Sequence, residues 1–294
     1  MKILLSDSFD AGLPGRLAKY GEVTDDKEQL PSADVVLIRS KTKCTKEFID
    51  EAPQLKLIIR GGVGLDNVDR EHAKAKGIKV YNTPKASSVA VAEMAFAMMI
   101  ALPNQLITAH NSTVAGQWLK KELKRSELLN KTLGIIGCGR IGLEMAKRAK
   151  AFGMTVYVYD VVPVRSEYID GQKELVELLP ICDYFSLHLP LTSETSGLIN
   201  QERIAQMKNG ACLINTGRGK TVVEDDIIAA LHSGKLGGYA TDVFFSEPPE
   251  NKALLSAPNT LFAPHLGAST RENLLRISDE VVLLIDQFAK GELK

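Results

Sequence analysis

An α/β architecture with two separate parallel sheets is what this sequence predicts, and three observations predict it. Short apolar runs alternate with helical patterns along nearly the whole chain, the pattern of strand–helix–strand units. A glycine-rich turn, "LGIIGCGRIG" at Leu133–Gly142, lies between a strand-like run and an amphipathic helix. Between two such series lies Ser87–Leu102, "SSVAVAEMAFAMMIAL", apolar on nearly every face, as a helix buried on all sides would be, either between domains or against a second subunit.

Taken in order, the first series holds "KILLS", "DVVLIRS", "KLIIR" and "IKVYN" as strands. The second begins at Lys131 with "TLGII", "TVYVYD", "DYFSLH", "ACLINT", "GGYATDV" and "TLFAPH". Met94, Met98 and Met99 in the intervening helix read as core filler. The last helix starts in "GASTRENLL", where Ser269 and Glu272 fit a capping box. Its apolar stripe (Leu274, Leu275, Ile277, Val281, Ile285, Phe288) needs a sheet to cover. The chain is therefore expected to return at its end to the first domain. That gives a discontinuous domain of residues 1–86 and 270–294 around an inserted domain of residues 87–269.

The bulk numbers narrow the function. The 294 residues suffice for two domains, and 45% apolar with 24% charged residues is the make-up of a soluble globular protein. Lys plus Arg equals Asp plus Glu at 36 each, which excludes a broad basic face for nucleic acid or a membrane surface. Cys44, Cys138, Cys182 and Cys212 are scattered without paired spacing, so neither a metal site nor a disulfide framework is expected. The start "MKILLSDSFD" is too soon charged for a signal peptide, and the longest apolar run, Met94–Leu102, falls short of a membrane span. A cytoplasmic protein is expected.

The glycine turn has the flanks that a dinucleotide cradle of the Rossmann type requires. Gly137 lets the chain turn off its strand, Gly139 keeps side-chain bulk away from a pyrophosphate, and Gly142 allows close packing of helix on sheet. The helix that follows presents unpaired N–H groups and a positive dipole end to phosphate. The next strand ends in Asp160, 18 residues beyond Gly142, where a carboxylate accepts hydrogen bonds from both adenosine ribose hydroxyls.

Ligands of an open parallel sheet bind beyond the carboxyl ends of its strands. There the sequence places Gly217, Arg218 and Gly219 after "ACLINT", Glu247 after "GGYATDV" and His265 after "TLFAPH". Hydride transfer to or from a carbonyl needs that set. A histidine exchanges the hydroxyl proton, a carboxylate favours the histidine's cation, and an arginine clamps a substrate carboxylate.

The pieces "IRSKTK", "RGGVGLDNVD", "GCGRIG", "NTGRG", "TDVFFSEPP" and "PHLGAST" span nearly the entire chain. In that order they resemble the NAD-dependent D-isomer-specific 2-hydroxyacid dehydrogenases. The resemblance implies two doubly wound α/β domains flanking a cleft, a Rossmann nucleotide-binding domain inserted in a flavodoxin-like substrate domain. It also implies a homodimer paired through the nucleotide-binding domain. Arg218, Glu247 and His265 match the family's catalytic arginine, glutamate and histidine. Arg140, Ile141, Asp160, Thr216, Gly217, Asp242 and the stretch Leu266–Ala268, with Gly267 at its centre, match NAD contacts. His188 and Leu189 of "SLHLP" adjoin the same site, His188 chiefly as a structural strand-end residue. Gly62, Val63 and Gly64 match the loop whose amides receive the substrate carboxylate, and Arg39 and Arg60 supply further cations for a phosphate. Val63 replaces a frequent threonine and Leu189 a frequent hydroxyl residue, each at the loss of one hydrogen bond.

In the family the region of "WLKKELKR" (Trp118–Arg125) forms an arm to the partner subunit, which brings Lys120 or Lys121 toward a substrate phosphate. By composition alone it is a solvated helical face. His72, His110 and His232 read as surface residues, and Asp66, Asn67 and Asp69 as a polar loop and helix cap. Few residues follow "PHLGAST", so the regulatory domain of longer members, and with it inhibition by L-serine, is expected to be absent. The implied reaction is oxidation of D-3-phosphoglycerate to 3-phosphohydroxypyruvate, the first step of serine synthesis. Reduction of glycerate-related oxoacids, glyoxylate or hydroxypyruvate is the alternative on the same scaffold. A dinucleotide-sensing binding protein is the reading from another class.

Overall fold

The computed structural model describes residues 1–293 and divides the chain into two units. One comprises Met1–Ser88 with the chain from Ala268 onward, the other Val89–Gly267.

The first unit is built on β1 (Lys2–Leu5), β2 (Glu22–Thr24), β3 (Val35–Ile38), β4 (Leu57–Arg60) and β5 (Lys79–Asn82). All pair in parallel in the order β2-β1-β3-β4-β5, the flavodoxin-like arrangement. Successive side chains of a strand point to opposite faces. So Ile3, Val35, Leu37, Leu57 and Ile59 meet Ile277, Val281 and Ile285 of the last helix, Arg271–Ala289. Leu4, Val36, Ile38 and Ile58 meet Ile49 and Ala73 on the other face.

The helix cap differs from the expected Ser269/Glu272 box. Thr270 has extended backbone and its side chain accepts from the Asn273 N–H at 3.0 Å, because helical geometry begins only at Arg271. The buried stripe is also narrower than expected: Leu275 is 42% exposed, since at about 3.6 residues per turn it lies on nearly the opposite side of the helix from Ile277.

The second unit holds β6 (Thr132–Ile136), β7 (Thr155–Tyr159), β8 (Gly171–Gln172), β9 (Tyr184–Leu187), β10 (Ala211–Asn215), β11 (Leu236–Thr241) and β12 (Thr260–Phe262). Their order is β12-β11-β10-β9-β6-β7-β8, a Rossmann sheet whose strand order reverses between β6 and β9. All ten strand-like runs read from the sequence are strands. β2 and β8 escaped, being short, polar edge strands without an apolar signature.

The helix Ser88–Ala101 sends Ala92, Ala95, Phe96, Met98 and Met99 into the core beside β6 and β7. Within the single chain one side of it stays open, where Glu93 is exposed and pairs with Arg148 at 2.9 Å. Among the described residues no single helix is long and apolar enough to cross a membrane. The next helix, Leu106–Val114, ends where Gly116 takes a φ of 75°. The chain then runs through turns, so Trp118–Arg125 is not a helical face, and Trp118 is 80% exposed.

Candidate active site

The glycine turn is shaped from both sides. Gly137 has a φ of 87°, and a Cβ there would lie 2.9 Å from Leu189 Cδ2 and 3.0 Å from the His188 backbone. Only glycine fits that conformation without strain. Gly139 caps the helix Arg140–Ala151 without any side-chain acceptor, and a Cβ on it would meet no atom within 4 Å. An open approach to unclaimed first-turn N–H groups suits a pyrophosphate.

Asp160, just past β7, does more than face outward. Its Oδ2 accepts from the Cys138 N–H at 2.7 Å and its Oδ1 from the Val162 N–H at 3.1 Å. A carboxylate offers about four acceptor sites, so capacity remains on both oxygens for ribose hydroxyls. The residue latches the glycine turn as well as offering itself to a ligand.

His188 braces neighbouring strands: Nε2 meets Ser186 Oγ at 2.9 Å and Nδ1 meets Thr216 Oγ1 at 3.3 Å. Desolvation lowers its imidazole to about 4, which keeps the ring neutral and unsuited to proton transfer near pH 7. His72 pairs with Asp50 at 2.9 Å in an exposed contact.

Three loops at the carboxyl ends of β10, β11 and β12 carry Arg218, Glu247 and His265. The first is held by the fully buried Asn215. Its Oδ1 accepts from the Gly217 N–H at 3.1 Å, and its Nδ2 donates to the Arg218 carbonyl at 3.0 Å. Thr221 Oγ1 donates to that carbonyl as well, at 2.6 Å. Gly219 lets this loop touch the next one backbone to backbone. A Cβ there would lie 2.0 Å from the Phe244 carbonyl carbon.

His265 sits in the left-handed region, with a φ of 54°, which costs a residue with a Cβ roughly 1–2 kcal/mol. Asp242, at 2% exposure, offsets that. Its two oxygens accept from the Leu266 and Gly267 N–H groups, each at 2.7 Å, and so fix the turn that follows His265. Burial raises the Asp242 carboxyl above the usual range, against the pull of those two N–H groups.

His265 Nδ1 then lies 2.7 Å from Glu247 Oε2. Desolvation pushes the Glu247 carboxyl up. The hydrogen bond and charge of His265, the Phe244 N–H and the Arg218 charge outweigh it and hold the group below its ordinary value. The structure thus brings Arg218, Glu247 and His265 to one electrostatic centre.

In the first unit Arg60 ends β4, and its guanidinium lies against Gly62, where a Cβ would be 1.7 Å from Nη1. The Gly62 N–H donates to Thr83 Oγ1 at 2.7 Å, Asn82 Nδ2 donates to the Val63 carbonyl, and Gly64 follows in the same loop. Arg39 follows β3. Its N–H donates to Asp7 Oδ2 at 2.6 Å, and its carbonyl accepts from Asn67 Nδ2 at 2.8 Å. The Arg39 Nη2 approaches the Ala268 carbonyl at 3.5 Å. Burial lowers its guanidinium from the ordinary value, and Asp7 counters this.

Asn67 is therefore an anchor for the Arg39 loop, more than the polar loop residue expected, whereas Asp69 does cap a helix, accepting from the His72 N–H at 2.9 Å. Asp7, Asn215 and the loop-fixing role of Asp242 escaped the sequence reading. The available signal was a small polar residue just at or beyond the end of a buried apolar strand, where a side chain must find partners.

Residues 96–267 match the profile of the D-isomer specific 2-hydroxyacid dehydrogenase NAD binding domain. The chain is 45% identical over 256 residues to a hydroxypyruvate reductase of Thermotoga maritima, covering 86% of this chain and 84% of that one. It is 40% identical over 305 residues to a D-3-phosphoglycerate dehydrogenase of Methanocaldococcus jannaschii, covering all of this chain but 58% of the relative. So the chain spans a little over half the length of that phosphoglycerate dehydrogenase. Among solved structures, a D-lactate dehydrogenase from Aquifex aeolicus with NAD and lactic acid superposes with a TM-score of 0.89 at 34% identity. That match covers 100% of this chain and 96% of the other.

Proposed function

The chain belongs to the D-isomer-specific 2-hydroxyacid dehydrogenase family, and on that premise we propose that it oxidises D-3-phosphoglycerate to 3-phosphohydroxypyruvate with NAD as cofactor. The observation that carries the reading is the His265–Glu247 pair at 2.7 Å, with the Arg218 charge acting on the same carboxylate. A carboxylate has no proton to give, so Nδ1 is the donor and Nε2 holds the free lone pair. When bound, NAD supplies the hydride-accepting nicotinamide carbon. As the substrate C2–H leaves as hydride, His265 Nε2 takes the hydroxyl proton and the C2–O bond becomes a carbonyl. Glu247 stabilises the cation formed on His265. Arg218 grips the substrate carboxylate with its two-pronged guanidinium and polarises the forming carbonyl.

Glu247→Gln tests the pairing. The fold stays intact, and the acidic limb of the rate profile for oxidation moves to lower pH. Protonated His265, the idle form in that direction, has then lost its counter-charge. An unmoved limb rejects the assigned role.

A phosphorylated substrate needs cations beyond Arg218, and Arg39 and Arg60 are the ones this reading assigns. The rival reading, hydroxypyruvate or glyoxylate reduction, is supported by the Thermotoga maritima relative, of which the chain spans 84%. A panel of D-2-hydroxyacids and 2-oxoacids assayed with NAD or NADH separates the two, with 3-phosphoglycerate expected to outrank D-glycerate. Arg39→Ala should then raise KM for 3-phosphoglycerate about tenfold or more, the ~1.5–3 kcal/mol of a hydrogen bond to a charged group. D-Glycerate should be little affected. Equal effects on both acids, or no preference in the parent enzyme, favour the reductase.

A further inference from the structure

The loop that carries Glu247 has little backbone hydrogen bonding to hold it, although Lys220 Nζ lies over the Phe245 ring at 4.8 Å. Pro248 and Pro249 have no N–H, and Phe245 is 59% exposed. Among the described residues, one side chain ties this loop to the body of its unit at two points. Glu224 opens the helix Glu224–His232, and its Oε1 accepts from the Phe245 N–H at 3.2 Å. Its Oε2 accepts from Asn251 Nδ2 at 2.9 Å. Glu247 lies between those two points. Asn251 cannot turn its amide round to suit a different partner, because its Oδ1 already accepts from the Leu254 N–H at 3.2 Å and caps the next helix. From the other side Gly219 presses backbone to backbone on Phe244. The loop is thus backed at Phe244 and clamped at Phe245 and Asn251.

We propose that Glu224 is a positioning residue for the reaction, holding the Phe245–Asn251 loop so that Glu247 stays opposite His265. It touches neither substrate nor cofactor and acts only through Glu247. The proposal rests on the dehydrogenase reading for its kinetic consequence, but not for its structural one.

The charged groups that face Glu247 are His265 and Arg218, and the Asp242 carboxylate feels the Glu247 charge as well. Their hold on the carboxyl, together with the Phe244 N–H, depends on where the loop lies. If Glu224 clamps the loop, removing the clamp lets Glu247 relax toward the ordinary glutamate range. If Glu224 acts merely as a nearby negative charge, removing it eases repulsion and moves Glu247 the other way. The two roles therefore predict opposite signs.

The experiment is a carbon-13 NMR titration of the Glu247 carboxyl, with kinetics, in the parent enzyme and three variants. Glu224→Ala should move the Glu247 midpoint up and lower kcat by about 10–100-fold, the scale of a small misplacement of a catalytic group. KM for NAD should hold. Glu224→Gln keeps an oxygen for the Phe245 N–H but sets its own amide N–H₂ against the Asn251 Nδ2 donor, so it loses that bond together with the charge. Its midpoint moves up by less than in Glu224→Ala, and part of kcat returns. Asn251→Ala keeps the charge and removes one of the two bonds, so its midpoint moves up by a smaller amount, even should the Glu224→Ala chain fail to fold. NAD binding by each variant reports that the second unit is intact. Midpoints that fall in both Glu224 variants, or that do not move in Glu224→Ala and Asn251→Ala, overturn the proposal. A parent enzyme that turns over no D-2-hydroxyacid overturns the dehydrogenase reading instead, while the titration still decides whether Glu224 holds the loop.

Discussion

His265→Ala lowers turnover about 10²–10⁴-fold, the usual contribution of a general acid–base residue. Affinity for NADH stays as it was, because the glycine turn, Asp160 and the helix Arg140–Ala151 are untouched. The effect should fall on kcat in both directions, since the same nitrogen accepts the proton in oxidation and returns it in reduction. The left-handed φ of 54° sharpens the expectation. An alanine there keeps the strain of a Cβ residue at positive φ yet loses the Glu247 contact at 2.7 Å. A small loss of stability should accompany the kinetic loss, and Asp242 should limit it by continuing to hold the Leu266 and Gly267 N–H groups. Steady-state kinetics with D-2-hydroxyacid and NAD, beside NADH binding by fluorescence, checks both halves. Near-parental turnover would remove His265 from the chemistry. A matching loss of NADH affinity would mean that the residue shapes the cofactor site instead.

The second large effect concerns cofactor choice. The Asp160 carboxylate stands at the end of β7, where the adenosine ribose of a bound dinucleotide lies in this fold. Each of its oxygens already accepts one backbone N–H and keeps capacity for a ribose hydroxyl. NADP would set a phosphate of about −1.5 to −2 charge in the same place, if its 2′-phosphate resembles other phosphomonoesters. Two unit charges 4 Å apart repel by about 4 kcal/mol at an effective dielectric of 20. Even if screening left about 2.7 kcal/mol, NAD would be preferred about a hundredfold. Arg165, exposed and five residues on, is too solvated to reverse the sign. Asp160→Ala should erase most of the preference, chiefly through weaker NAD binding. The structure adds a second expectation. The same substitution frees the Cys138 N–H, so the glycine turn loosens and hydrogen exchange there should quicken. Equal efficiency with NAD and NADP in the parent would mean that Asp160 serves only the turn.

How much of this was legible before any fold was seen differs from element to element. β3 and β4 announce themselves because a central parallel strand is apolar on both faces, and "VVLI" and "LIIR" read so without help. The glycine turn was equally plain, since a chain that must turn at φ 87° against His188 and Leu189 admits only glycine. Arg218, Glu247 and His265 each stand beyond a strand end, which fixed their side of the sheet. The edge strands β2 and β8, the Thr270 cap and the turns of Trp118–Arg125 were missed, because each depends on neighbours more than on its own residues.

The same division runs through the site. By itself the sequence determined the chemistry on offer: which side chains carry protons, charge or a phosphate cradle, and on which loops. Only the tertiary structure decided what holds those side chains still. Asn215 grips the Arg218 loop, Asp242 the turn behind His265, and Glu224 two ends of the Glu247 loop, across sequence separations of 3 to 27 residues. Asp160 turned out to latch its own glycine turn. A strand's apolar pattern is written in its own residues, because burial acts on each side chain where it stands. A carboxylate's choice of N–H partner is not, because it is settled by which loops the sheet brings within about 3 Å of one another.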